Sequence, residues 1–577
     1  LKRKKWFIAG CTVILAATAV LSGCSRNTGH EGTASSSKPT GASAKPATDP
    51  NAPGDFSKKL EISWVGNLAR GKIEDNNFVQ KKLEEKFNVK LINKKIDINN
   101  PDQVNLMLAS GDLPEATFFV NSFTKTYNDG LLRTIPKAMI QKYAPKYAKM
   151  LDDNATGWLI NTVPGKPEEY TALTGIGENV AGLIMAQTYR LDWLEKLGIK
   201  PKGTLTPVGT SGGKERIFFT KEAFTMEENA KIFDAFVNGD PDGNGKKDTF
   251  AITPNNQSMY WWASTLMGAY GLGTQNSATF NFEENGKLVE ATISTKYKDF
   301  LKAMFVWYKK GYIEPEFTTL NISKSWEKYA TGKVGFTVAE YSGASMDNGN
   351  LGRPVGNLLT KDTSAKILIT PPSIGPDGKQ GAGAYLPVTT FARHFAVRKD
   401  VSDEKLIRIL QMFDYINFDK EGEVLTRYGE VNTHFKWQGE PYRSAAIFND
   451  GVTNEGQYGF GYYTHQLNTK SIMTYFTSAE TMKLVNDYFF HPDYGLKQII
   501  RPYRFDYFNE TKYADLKNKY GAKLDTLTNE MTFKAIIGEV NIDQAWDAYV
   551  KNWQDSGGAE LLAELAKSPK VADLLKK

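Results

Sequence analysis

Three carboxylates and one amide recur at near-alternate positions in the run Asp240, Pro241, Asp242, Gly243, Asn244, Gly245, Lys246, Lys247, Asp248. Counted as an oxygen-ligand loop, Asp240, Asp242, Asn244 and Asp248 take positions 1, 3, 5 and 9. Gly245 takes the sharp turn at 6, and Lys246 offers its backbone carbonyl at 7. That set suits a hard divalent cation, and calcium is expected here in a structural role. Position 12, where a bidentate glutamate completes the pattern, holds Ala251. Thr249, a water or a distant carboxylate would have to complete the shell. The competing reading is an Asx-rich turn without metal, which leaves three like charges close together without a counter-ion.

Other chemistry is thinly represented. The five histidines stand apart at His30, His394, His434, His465 and His491, with no H-E-x-x-H and no cysteine pairing, which disfavours zinc hydrolysis. One G-x-S-x-G occurs at Gly209 to Gly213, but a nucleophile elbow needs an apolar strand before it and a helix straight after. Pro207 breaks the short run before it, and a flexible loop is expected. No G-x-x-x-x-G-K-[ST] phosphate loop occurs.

The chain opens on Lys2, Arg3, Lys4 and Lys5, followed by an apolar run from Trp6 to Leu21, too short to span a membrane comfortably and read as an export signal over residues 1–23. Leu21, Ser22, Gly23 and Cys24 resemble the lipobox of bacterial lipoproteins, which implies diacylglyceryl transfer to Cys24 and cleavage before it. Anchoring then needs no transmembrane helix, since each buried methylene contributes about 0.8 kcal/mol. Cys11 leaves with the signal, so no internal disulfide is expected. The four cations leave too, taking the formal net charge from +6 to about +2, and no nucleic-acid footprint remains. Residues 24–56, rich in Ser, Thr, Gly, Ala, Pro and Lys, read as a disordered tether.

From residue 57 the pattern alternates. Leu60, Ile62 and Trp64 mark a strand, Phe78, Leu83 and Phe87 a helix ending near Asn88, and Val89 to Ile96 a second strand. A helix through Val104 to Ala109 and a strand at Ala116 to Val120 follow. Further strands are expected at Val334 to Ala339, Ile367 to Thr370 and Phe395 to Val397, with a helix over Glu404 to Phe418. This predicts an α/β fold with mainly parallel sheets, ligand sites lying at the carboxyl ends of strands.

Several separate patches resemble family 1 extracellular solute-binding proteins of ABC importers, in the branch of Bacillus and Paenibacillus lipoproteins and alginate-oligosaccharide-binding proteins. They are LMLASGDLPE at Leu106 to Glu115, YRLDWLEKLGIKP at Tyr189 to Pro201, the acidic loop, WEKYATGKVGF at Trp326 to Phe336, RYGEVNTHFKW at Arg427 to Trp437, and IDQAWDAYVKNWQDSGGAELL near the end. Thr204 to Phe224 departs from the family as an altered or inserted stretch. The resemblance implies a two-lobed periplasmic-binding-protein-like fold with hinge segments and an interlobe cleft. The lobes expected are 57–183 with 348–417, and 184–347 with 418–577.

It also implies a substrate-binding lipoprotein on the outer face of the cell membrane, a monomer that delivers an oligosaccharide to separate permease subunits and carries out no catalysis. A sugar calls for aromatic platforms with polar partners beside them. Of the 11 Trp, 27 Tyr and 32 Phe, most must be core, and only those in cleft-facing segments are candidates. They are Trp64, Asn67, Ser110, Asp112, Tyr189, Arg190, Trp261, Trp262, Trp326, Glu340, Tyr341, Tyr385, Arg393 and Trp437. Trp261 and Trp262 are adjacent, so one of them is expected to pack inward. Two other classes stand beside this reading: a secreted polysaccharide-degrading enzyme, which needs a carboxylate pair at fixed separation, and a peptide-binding or sensor lipoprotein.

Overall fold

Asn77 and Asn88 bracket the first helix of the chain. The Asn77 side chain accepts the Gln80 amide at 2.9 Å, and Asn88 ends the helix in the left-handed region at φ 46°, which asparagine tolerates better than most residues. Between them Val79, Leu83 and Phe87 fall on one buried face, the spacing of an amphipathic helix. Thr225 and Glu228 close a reciprocal capping box on another helix, a cap whose loss costs about 1 kcal/mol.

The computed structural model describes residues 56–577 apart from 68–72, 99, 120–123, 155, 164, 177–181, 184, 212–213, 276–277, 341–353, 386–389, 445, 453–455, 465–474, 477–478, 506–510, 575 and 577. The signal, Cys24, most of the tether and Tyr341 therefore lie outside the described residues.

In chain order the elements that matter here begin with β1 (Leu60–Val65), α1 (Phe78–Phe87), β2 (Val89–Asn93), α2 (Pro101–Ala109), β3 (Ala116–Phe119), α3 (Pro145–Asp152) and β4 (Leu173–Ile176). A short crossing strand β5 (Gly182–Leu183) leads to β6 (Met185–Arg190), α4 (Leu191–Lys196), β7 (Thr206–Ser211), β8 (Lys214–Phe219), α5 (Met226–Asn238) and β9 (Phe250–Ile252). Then come α6 (Tyr260–Gly268), α7 (Thr295–Lys309), α8 (Ile322–Lys328), β10 (Val334–Glu340), α9 (Pro354–Lys361) and β11 (Ile367–Thr370). A second crossing strand, β12 (Ala382–Tyr385), precedes β13 (Thr390–Val397), α10 (Asp403–Phe418), α11 (Lys420–Tyr428), β14 (Phe435–Trp437) and β15 (Ala446–Phe448). The last are β16 (Ile499–Ile500), α12 (Thr511–Ile537) and α13 (Ile542–Trp553).

Two sheets anchor two lobes. The first runs β2-β1-β3-β13-β4 and the second β7-β8-β11-β6-β10-β9. In the first, β1 is parallel to β2 and β3, while β13 is antiparallel to both neighbours. In the second, β6 is antiparallel to β10 and β11, whereas β9 and β10 are parallel, as are β8 and β11. The sheets are thus mixed rather than mainly parallel, because β6 and β13, the first full strand after each crossing, enter against the local direction. All six residues of β6 are buried, as befits a strand covered on both faces.

Each sheet has its own hydrophobic core, and core membership redraws the boundaries expected from sequence. Val355, Leu358, Leu359 and Ile367 to Ile369 belong to the second core, because β11 is inserted between β8 and β6. The chain rejoins the first core only at β13. Phe460, Tyr462, Tyr463, Phe505, Val571 and Leu574 belong to the first core, so the stretch 418–577 is shared by both lobes. The three crossing strands meet in a small sheet of their own, ordered β16-β12-β5. Gly209 to Ser211 lies in β7, paired antiparallel with β8. The expected loop is a hairpin at the sheet edge, and since a strand rather than a helix follows the serine, no nucleophile elbow forms.

Candidate functional site

Strands β9 and β10 run parallel, with Ile252 at the end of β9 opposite Phe336 within β10, and the loop after β9 builds an aromatic surface on the second lobe. Asn255 accepts the amides of Gln257 and Ser258 at 3.0 and 2.8 Å, a side-chain turn that leads the chain into α6. The head of α6 then presents three aromatic rings in succession. Tyr260 and Trp262 go into the core at 0 % and 2 % exposure, while Trp261 between them stays half-buried.

Trp261 meets Trp326 of α8 edge to face, their ring centroids 5.5 Å apart. Two contacts hold α8 against the same loop: Ser325 Oγ donates to the Thr253 carbonyl at 3.1 Å, and the Ile322 amide donates to Gln257 Oε1 at 3.1 Å. The result is a pair of partly open indole rings beside amide side chains, the composition that stacks on a sugar face while leaving donors and acceptors at its rim.

On the first lobe, β1 is followed by Gly66 and Asn67. A Cβ on Gly66 would lie 2.1 Å from the Tyr462 carbonyl oxygen, so only glycine fits this approach. The Asn67 amide donates to that carbonyl at 2.7 Å, and the Asn67 side chain is largely buried. Tyr462 in turn donates from its hydroxyl toward the Trp64 and Lys94 carbonyls at 3.2 and 3.0 Å. The ends of β1 and β2 are thereby tied to the 460s. Ser110 and Asp112 are exposed; Ser110 Oγ donates to the Met107 carbonyl at 3.0 Å, and Asp112 pairs with Lys94 at 2.6 Å.

Four of the expected ligand residues do other work. Trp64 is 0 % exposed and packs on Phe395 and Tyr463, since it shares the inward parity of Leu60 and Ile62. Tyr189 is likewise 0 % exposed, with its hydroxyl 2.7 Å from Asn229 Oδ1 and 3.1 Å from Gln187 Oε1. Arg190 is 3 % exposed and forms a bidentate pair with Asp192 at 2.9 and 2.6 Å plus a bond to Asp362 at 3.0 Å. Trp262 packs in the second core. Glu340, Tyr385 and Arg393 sit on β10, β12 and β13, with Glu340 opposite Met185 and Tyr385 opposite Gly182; their side chains lie outside the described residues.

Trp437 is half-buried in a second aromatic group. Phe476 stacks on it at 5.8 Å, Tyr442 lies at 5.2 Å, and the Lys420 ammonium stands 3.9 Å above the Tyr442 ring. Tyr442, Phe476 and Lys420 were not anticipated from sequence. Only the hairpin of β14 and β15 and a segment some forty residues further along bring them to Trp437, and no local pattern announces such a contact.

The acidic loop joins α5 to β9. Asp240, Gly243 and Gly245 have φ of 48°, 72° and 74°, the tight left-handed path that such loops require. Asp240 accepts the Asn244 and Gly245 amides at 3.1 Å each. Burial and the neighbouring Asp240 carboxyl push the Asp242 carboxyl up from its usual range, whereas the Lys333 ammonium beside Asp248 holds that carboxyl down. The oxygen donors thus fit a hard cation in kind and order, yet they are not drawn into a set of three acidic ligands among the described residues. The Asn244 amide bridges Asp242 and Asp248, at 2.7 and 3.0 Å. Thr249 is buried, and its hydroxyl donates to the Phe236 carbonyl at 2.7 Å.

No family model matches the chain. Two curated relatives from Bacillus subtilis (strain 168) align along its whole length. The polygalacturonan/rhamnogalacturonan-binding protein YtcQ is 24% identical over 98% of this chain and 99% of its own. Lipoprotein LipO is 23% identical, covering 98% of each. Among solved structures, the EF-hand mutant of the Streptococcus pneumoniae ABC-transporter substrate-binding protein FusA in complex with fructo-nystose superposes with a TM-score of 0.64 at 18% identity, over 88% of this chain and 98% of that one. The alginate-binding protein AlgQ2 without calcium ion gives 0.60 at 18% identity, over 88% and 97%. At this identity the structures establish the two-lobed fold.

Proposed function

We infer that this chain belongs to the extracellular solute-binding proteins of ABC importers, and that it captures an oligosaccharide between its lobes for delivery to a membrane permease. The observation that carries this reading is the end-to-end match to a relative named for polygalacturonan and rhamnogalacturonan binding. It is joined by the half-open Trp261 and Trp326 pair, held beside the loop that leaves the carboxyl end of β9, the end of a strand where α/β sheets place their ligands. Pectic oligosaccharides are accordingly the first ligands to try.

Three finer features belong to the same proposal. Cys24 would carry the lipid that holds the protein on the outer face of the membrane, with residues 24–56 as its leash. Asp240, Asp242, Asn244, Asp248 and the Lys246 carbonyl would hold calcium, which would cross-link the end of α5 to the start of β9 and take no part in ligand chemistry. The protein binds and does not cleave: the sugar leaves as it came.

Tryptophan fluorescence titrated with short oligogalacturonides and rhamnogalacturonan fragments tests the proposal. Saturable change with the sugar recovered intact supports it; release of shorter sugars would move the protein to the hydrolases.

A further inference from the structure

The helix that carries Trp261 at its head rests on bare backbone at its foot. A Cβ on Gly268 would lie 1.6 Å from the Gly381 carbonyl oxygen, so no methyl fits between the last turn of α6 and the chain entering β12. The seam continues on both sides. A Cβ on Gly375 would meet the Ala269 carbonyl oxygen at 1.7 Å, one on Gly383 the Thr274 carbonyl oxygen at 2.0 Å, and one on Gly381 the Gln498 carbonyl oxygen at 2.3 Å. Four glycines thus make a continuous backbone seam: Gly268, Gly375 and Gly383 seat the end of α6 and the residues after it against the chain that forms and leads into β12, and Gly381 seats that chain against Gln498, the residue before β16. Midway along the helix, Thr265 receives a bond from Gln187 of β6 at 3.0 Å. Trp261 and Gly268 are about 10 Å apart along the axis.

We propose that α6 is the element that reports occupancy to the hinge. A sugar ring seating on Trp261 and Trp326 displaces the head of α6, and the glycine seam passes that displacement to β12 and β16, biasing the lobes toward closure. Side chains between helix and strand would absorb a sub-ångström shift by changing rotamer, but backbone packed on backbone transmits it. Coupling of this kind needs an element with two arrangements that both sites bias, and the crossing sheet is that element. The inference rests on the oligosaccharide-binding reading above.

Hydrogen exchange on the full chain, with and without short oligogalacturonides, tests it beside Gly268→Ala, whose fold is checked by circular dichroism. In the wild type, sugar is expected to slow exchange in peptides covering 259–268, 380–383 and 498–500 together. In Gly268→Ala only the first should respond, and its 380–383 and 498–500 peptides should exchange faster than wild type even without sugar. Protection confined to 259–268 in the wild type would overturn the inference, as would a variant that couples normally. If Gly268→Ala does not fold, the wild-type comparison decides. Should no pectic sugar bind, the binding reading fails by itself, and unchanged exchange at 380–383 in the unliganded variant would separately overturn the seam.

Discussion

Trp261 and Trp326 meet at 84° with ring centroids 5.5 Å apart, and each keeps part of its surface open to solvent while Tyr260 and Trp262 on either side of Trp261 are buried. Both indoles are thus held by their neighbours and left half-buried.

Removing either indole should affect binding more than folding. Trp261→Ala or Trp326→Ala is expected to weaken oligosaccharide binding about tenfold, a loss of about 1.4 kcal/mol, measured by calorimetric titration. Trp262→Ala should instead destabilise the fold by about 3 to 5 kcal/mol through a cavity in the second core, read as a lower denaturation midpoint.

Arg190 belongs to the scaffold. Its guanidinium bridges Asp192 in the first turn of α4 and Asp362 between α9 and β11, and lies 4.8 Å over the Trp193 ring. Arg190→Met leaves two carboxylates without their partner and is expected to cost about 3 to 5 kcal/mol. Affinity for sugar in the surviving folded fraction should be unchanged.

Calcium should raise the melting temperature, with a gain of about 2.7 kcal/mol at a hundredfold excess over the dissociation constant. Asp242→Ala should abolish the effect. Lys333 pairs with Asp248 and would compete with an ion for it, so Lys333→Ala is expected to tighten calcium binding. Unaltered affinity in that variant would mean that the ion does not use Asp248.

Two buried groups set opposite pH trends. His394 is 1 % exposed, bonded through Nδ1 to Thr174 Oγ1 at 2.7 Å, and burial pushes its imidazole down to about 3. The unfolded chain therefore takes up a proton below about 6.5 that the folded chain refuses, and this contribution to stability, whole above that pH, is lost as pH falls toward 3. Asp414 caps α3 by accepting the Tyr147 amide at 2.8 Å, and burial pushes its carboxyl up to about 6. Its contribution is present below about 3.8 and is lost as pH rises through 6. Asp414→Asn, which keeps an acceptor for Tyr147, should match wild type near pH 4 and exceed it above pH 7 in urea unfolding. His394→Gln should flatten the acid limb.

The parts of this molecule legible in its sequence are those with local causes. The spacing of Phe78, Leu83 and Phe87 marked a helix ending near Asn88, where the chain does leave the helix, and the order of the acidic residues from Asp240 to Asp248 called for a sharp turn at Gly245, whose φ is 74°. What depended on distant partners was not legible. Trp64 carried its own correction, since its parity with Leu60 and Ile62 points inward, but Tyr189 is buried by β10, β11 and α5, elements far away in the chain. Gln257, Tyr442 and Phe476 had no signal as members of a surface, because each joins one only when α8 or the β14–β15 hairpin arrives beside it. The lobe boundaries failed for a related reason: insertion of β11 between β8 and β6 is a choice of sheet order, which hydrophobic patterning does not encode.

Capture without chemistry is decided by titrating the protein with defined oligogalacturonides and rhamnogalacturonan fragments in a calorimeter, then weighing the recovered sugars by mass spectrometry. Saturable binding is expected, weakened in Trp261→Ala, with every sugar recovered at its starting mass. Sugars recovered shorter than they were supplied, or no heat from any glycan, would contradict it.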